Sequence, residues 1–137
     1  INDGMGEYVA IQLVKKISSK KIHIDQARVL ILGFTFKGDC PDVRNTKIID
    51  MYNELKSFNM SVDVYDHWAN PVEVQHEYGI KLIDKLIDGS YDAIVIAVDH
   101  TDFQSWGEST IRKLGKSNHV LYDLKYSLPK SASDLRL

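Results

Sequence analysis

Arg28-Val-Leu-Ile-Leu-Gly-Phe-Thr-Phe-Lys-Gly-Asp-Cys-Pro-Asp-Val-Arg-Asn-Thr-Lys47 is the stretch that decides the fold of this chain. Val29 to Leu32 is an unbroken apolar run, the pattern of a central parallel strand covered on both faces, and it stops at Gly33. A loop follows, with Gly38, Pro41 and polar turn-formers, and it carries Lys37, Arg44 and Lys47. From Thr46 to Phe58, apolar residues fall at Ile48, Ile49, Met51, Tyr52, Leu55 and Phe58. That is helical spacing, with Asn45 or Thr46 as cap and Asn59 as a left-handed stop. A strand, a cationic loop and a helix N-terminus together make a place for an anion, a phosphate above all.

Upstream, Met5, Tyr8, Val9, Ile11, Leu13, Val14 and Ile17 predict a helix from about Asp3 to Ser18, capped by Asn2 or Asp3. Its apolar positions cover more than the single stripe of a surface helix, so it is expected to pack on two sides. Ser18 to His23 reads as a polar connector. Downstream, Val62, Val64 and Tyr65 predict a second strand ending at Asp66. Pro71 opens a short helix through Tyr78, which Gly79 closes. Ile80 to Leu82 is expected as a short third strand and Ile83 to Leu86 as a turn of helix. Ala93 to Val98 is a strong strand with Tyr91 and Asp92 leading in; Thr110 to Leu114 is a short helix, and Val120 to Leu124 the last strand before a polar tail. Strands alternating with helices predict right-handed crossovers and a parallel sheet of about five strands with helices on both faces. Such sheets bind ligands outside the carboxyl ends of their strands. Here those ends are Gly33, Asp66, Asp99 with His100, and Asp123 to Lys125. The chain divides into a helix with its connector, 1–27, and an α/β domain, 28–137.

Composition narrows the partners. The 137 residues are 44% hydrophobic and 26% charged, a soluble globular profile. A net charge of -2 gives no electrostatic reason to expect nucleic acid. There is no apolar run of spanning length, so no membrane helix is expected, and the N-terminus has no signal-peptide pattern. The first residue is Ile1, which suggests a piece of a longer protein. One cysteine, Cys40, excludes an internal disulfide and suits a reducing, cytoplasmic setting.

Two familiar phosphate motifs are missing. The loop has Gly33 and Gly38 but no G-x-G-x-x-G, and Asp39 and Cys40 stand where a Walker loop needs Lys and Ser or Thr. Lys37 and Arg44 remain as anion ligands, against the alternative of solvated loop charges. Asp66 occupies a position that often holds a ribose, or is simply a strand-end turn aspartate. Cys40 has no histidine near it in sequence to act as a base, and reads as incidental. His23, His67, His76, His100 and His119 show no ligand spacing, so no metal is expected. His67, Trp68 and Trp106 read as packing or rim residues. Lys125, after the last strand, can reach across to the first loop.

Gly33-Phe-Thr-Phe-Lys37, Asp42-Val-Arg44 and Asn45-Thr46 resemble the G-x-x-F-K…D-x-R-x-S/T signature of the UDP-glucose/GDP-mannose dehydrogenase family, in its C-terminal UDP-binding domain. Val64-Tyr65-Asp66, Tyr91-Asp92-Ala93 and Val120-Leu-Tyr-Asp123 are similar to that domain's later strands, and residues 1–5 resemble the second half of the family's central helix. The resemblance implies a Rossmann-like, doubly wound, mainly parallel sheet of about five to six strands behind an N-terminal helix. It implies oxidation of a nucleotide sugar at C6 to a carboxylate, with NAD as cofactor and a cysteine nucleophile. That cysteine, the NAD fingerprint and the catalytic lysine and aspartate lie upstream of the central helix in the family, and Cys40 does not match the nucleophile. Residue by residue, Phe36 and Lys37 match substrate-binding positions, Arg44 one that reaches the NAD pyrophosphate, and Lys125 one that is an arginine in several members. A lysine there lacks the bidentate fork. Asn45-Thr-Lys47 and Asp66-His-Trp68 look most like enzymes acting on UDP-N-acetylhexosamines, with UDP-glucose or GDP-mannose 6-dehydrogenases as the alternative. The implied partners are a UDP-sugar and a second copy, dimerised through the central helix. A non-catalytic α/β regulatory module is the competing class; a phosphoacceptor receiver needs paired acids after the first strand, where Gly33 and Phe34 stand.

Overall fold

A computed structural model describes residues 4–137 of the chain. The helix cap expected at Asn2 or Asp3, and most of the resembling segment 1–5, lie outside the described residues. Five parallel strands form one sheet in the order β2-β1-β3-β4-β5. They are β1 (Arg28–Leu32), β2 (Ser61–Tyr65), β3 (Tyr91–Ile96), β4 (Gly115–Asp123) and β5 (Leu135–Arg136). Chain direction across the sheet reverses between β1 and β3, the switch point beside which doubly wound sheets hold ligands.

The apolar run of β1 has the expected cause. Val29 and Ile31 enter a core shared with α1 (Met5–Ser19), α2 (Ile48–Ser57) and α3 (Pro71–Tyr78). Leu30 and Leu32 enter a second core with Phe103 and Ile111 of α4 (Thr101–Lys113). All four are fully buried, as are Ala93 to Ile96 of β3, and a strand covered on both faces has no polar side to alternate with.

α1 buries Val9, Leu13 and Ile17 at i, i+4 and i+8, with Ala10. It lies close on α2: a Cβ at Gly6 would sit 2.8 Å from the Met51 nitrogen. Tyr8 and Ile11 point outward and are exposed, which accounts for the second apolar face read in the sequence. α3 follows its local signals throughout. The Asn70 side chain accepts from the Val72 and Glu73 amides, Pro71 opens the helix, and Gly79 closes it in the left-handed region.

Several elements differ from expectation. β4 begins at Gly115, five residues ahead of the expected Val120. Residues 79–88 form neither the short strand nor the helical turn. One backbone bond joins them to the sheet edge, Ile83 N to Val64 O at 2.9 Å. Ile80, Leu82, Ile83 and Leu86 pack against the two cores instead of pairing. The helix expected at 110–114 starts nine residues earlier, at Thr101, and is broken at Gly107 (φ 76°, ψ 171°). Its start was hidden because its cap is tertiary: Asp39 Oδ1 accepts from Thr101 N at 2.9 Å. The polar tail returns as β5, alongside Tyr122 and Asp123.

Candidate functional site

β1 ends against the end of β3, and glycines allow it. Gly33 has φ 101°, and a Cβ there would lie 2.5 Å from Val98 Cβ, so only glycine serves. A Cβ at Gly38 would overlap the carbonyl oxygen of Asp99. The loop between them is closed by Phe36 N donating to Asp42 O at 2.7 Å. The N-cap position of α2 falls on Lys47, without a side-chain cap bond, and not on Asn45 or Thr46 as expected. Thr46 Oγ1 still accepts from Ile48 N at 3.2 Å from one residue before the cap, while Asn45 takes φ 62°.

These pieces enclose a cleft of about 220 Å³ at the β1–β3 switch. Its walls are 35–38, 45–48, 97–99 and Lys125. Phe36, Lys37 and Lys125, three of the four residues picked out from sequence, face this one space, and Lys47 joins them. The lining's one acid is Asp99, whose Oδ1 accepts from Gln104 Nε2 at 2.7 Å and Ser127 Oγ at 2.8 Å. Three lysines and one aspartate line the cleft, a net of two positive charges, so it favours an anion on Coulombic grounds. The start of α2 adds the positive end of a helix.

Arg44 stands apart. It does not line the cleft, and its side chain is 80% exposed, with Nε 3.1 Å from Asp42 Oδ1. That hydrogen bond raises the guanidinium's pKa and lowers that of Asp42.

Asp66 is a buried junction rather than an open ligand. Its Oδ2 accepts from Phe34 N (2.6 Å), Thr35 N (3.0 Å) and His100 Nε2 (2.9 Å). Its Oδ1 accepts from Trp68 N (2.8 Å) and Ala69 N (3.2 Å). Burial pushes its pKa up, but the bonds from His100 and the Phe34 and Thr35 amides outweigh this and hold it below the ordinary value. With its lone pairs taken it has none to offer a ribose, so the turn-aspartate alternative describes it. His100 is fully buried, and its Nδ1 accepts from Asp39 N at 2.9 Å. Cys40 is half-buried and lies outside the cleft. Among the described residues no group of three His, Cys, Asp or Glu could hold a metal, and no helix is long and apolar enough to cross a membrane.

Sequence reasoning placed Lys47 in the cationic loop and Asp99-His100 at a ligand-binding strand end, but singled out neither as a site residue. It had no signal for the contacts of Thr35 and Asp39 with His100 and Thr101, which lie 61 to 65 residues away.

A doubly wound sheet with a cationic cleft at its switch point defines a nucleotide- or phosphate-binding α/β domain. Residues 30–130 match the family model described as the UDP-glucose/GDP-mannose dehydrogenase family, UDP binding domain. The chain belongs to that family. Over its whole length it is 53% identical to a UDP-N-acetyl-D-glucosamine 6-dehydrogenase of Pseudomonas aeruginosa and 50% identical to one of Salmonella typhi, covering 32% of each. It thus spans about a third of the length of these curated relatives. Among solved structures, an NDP-N-acetyl-D-galactosaminuronic acid dehydrogenase from Methanosarcina mazei matches 96% of the chain with its TM-score at 0.79 and 24% identity, the chain covering 27% of it. A UDP-D-ManNAc dehydrogenase from Pyrococcus horikoshii matches 98% with TM-score 0.76 and 23% identity, the chain covering 31% of it. These two likenesses show the fold.

Proposed function

We propose that this domain binds the UDP part of a nucleotide sugar within an NAD-dependent UDP-N-acetylhexosamine 6-dehydrogenase. UDP-GlcNAc, UDP-GalNAc and UDP-ManNAc are the candidate substrates, and the product would be a uronic acid for surface polysaccharide. The observation that carries this is the convergence of Phe36, Lys37 and Lys125 on one cleft at the switch point. Lys37 and Lys125 pair with the diphosphate, Lys47 adds a third positive charge, and Phe36, 55% exposed, offers an apolar face. A hydrogen bond to a charged group contributes about 1.5–3 kcal/mol, so the two lysines alone give weak affinity, and the rest of the enzyme supplies the remainder.

The sequence lacks the glycine fingerprint of a dinucleotide cradle, and among the arginines Arg44 is the one that the family resemblance points to, with its side chain 80% exposed. NAD is therefore assigned to the part of the enzyme beyond this domain, with Arg44 leaving Asp42 to touch its pyrophosphate. The assembly is read as a cytoplasmic homodimer, with the exposed Tyr8 and Ile11 of α1 covered by a second copy.

The test is titration of the isotope-labelled chain with UDP, followed by NMR. Shifts concentrated on Phe36, Lys37, Thr46 and Lys125 are expected. Shifts elsewhere, or none at millimolar UDP, would sink the reading.

A further inference from the structure

We infer that His100 is a positioning residue: it latches the loop carrying Phe36 and Lys37 onto the ends of β2 and β3. The proposal rests on the UDP-binding reading of the cleft.

The latch has two arms on one ring. A backbone N–H can only donate, so the Asp39 amide 2.9 Å from Nδ1 requires a lone pair there. The ring proton therefore sits on Nε2, which donates to Asp66 Oδ2 at 2.9 Å and lies 3.3 Å from Thr35 Oγ1. Asp66 in turn holds the Phe34 and Thr35 amides, and Thr35 Oγ1 donates to Lys37 O at 3.0 Å. The substrate loop is thus gripped on both sides of residues 36–38. The Asp66 arm fixes residues 34–35 and the Nδ1 arm fixes residue 39. Phe36 and Lys37, which make the cleft wall, are exposed and lie between the two grips.

The ring itself is held. Trp68 stacks on it at 6.0 Å with 25° between planes, and Phe103 packs at 5.3 Å. His100 is fully excluded from solvent and does not line the cleft, so it cannot touch a nucleotide there. A buried imidazole with both nitrogens engaged fixes geometry, and a loop held before its ligand arrives loses less entropy on binding.

The two amides that mimic halves of imidazole separate the arms. His100→Asn keeps an acceptor near Nδ1, and His100→Gln keeps a donor near Nε2. UDP affinity of the chain is measured by NMR titration for wild type, Asn, Gln and Ala, with amide hydrogen exchange at Asp39 and thermal stability recorded alongside. Expected is binding within about threefold of wild type for Asn, weaker by about tenfold for Gln, which loses the Nδ1 bond, and weaker by at least as much for Ala, which loses both bonds. Asp39 exchange should be faster in Gln and Ala. Equal affinity in Asn and Gln, whether both match wild type or both fall with stability, would overturn the latch, even if the Ala variant fails to fold. Wild type that does not bind UDP would overturn the nucleotide reading, and the latch with it. Wild type that binds while Gln binds equally well would overturn the latch alone.

Discussion

At the scale of single residues, the cleft depends on Lys37, Lys47 and Lys125, none of which has an ion-pair partner among the described residues. Lys37→Ala should weaken UDP binding by about tenfold or more, the loss of one charge-assisted bond, and calorimetric titration checks it. Lys125→Arg should bind UDP at least as well as wild type, since a guanidinium can grip a phosphate bidentately; a large loss would overturn the placement of a phosphate within reach of that fork. Asp66 carries a prediction about acid. Its folded pKa is depressed, so it contributes stability that is complete above the unfolded value of about 3.9 and is lost as pH falls below it. Replacing it by Asn should flatten the fall of stability below about pH 4, where each extra proton bound on unfolding steepens the slope by about 1.4 kcal/mol per pH unit. Denaturant midpoints across that range measure it.

At the scale of elements, what was legible depended on how far the governing contact reaches along the chain. α3 was readable end to end because Asn70, Pro71 and Gly79 act on their own neighbours. β1 and β3 were readable because burial on both faces leaves an apolar run. The first half of α4 was not, since its cap comes from Asp39, and β5 was not, since Leu135-Arg136 is defined by pairing with β4. The site divides likewise. Phe36, Lys37 and Lys125 were found through a local motif and strand ends, whereas His100 needs the fold to bring three segments together. Gly38 shows the same dependence on tertiary contact. Gly38→Ala should cost about 1–3 kcal/mol, the usual cost of overpacking, because its methyl meets the Asp99 carbonyl. It should also lower UDP affinity, since Lys37 must move. A native melting temperature for this variant would count against the tight loop–strand approach.

At the scale of the whole molecule, the proposed reading gives this domain the substrate-binding share of a dehydrogenase whose relatives are about three times as long. The domain offers an anion cleft but no glycine fingerprint for a dinucleotide and no thiol in the cleft. Mixed with UDP-GlcNAc and NAD⁺, the chain should make no NADH, as followed by absorbance; turnover would refute the division of labour proposed above. α1 completes the picture. Its inner stripe is locked onto α2 through Gly6, while Tyr8 and Ile11 remain outside. Covering them in a dimer should slow amide exchange along that face at high protein concentration.

The chain has two tryptophans, and both lie in the aromatic cluster around His100: Trp68 stacks on the imidazole, and Trp106 packs on Phe103 at 5.1 Å. Tryptophan emission, excited selectively to the red of tyrosine absorption, therefore originates at a single corner. It is a label-free optical gauge of whether that corner is seated, readable in a stopped-flow instrument while ligand enters.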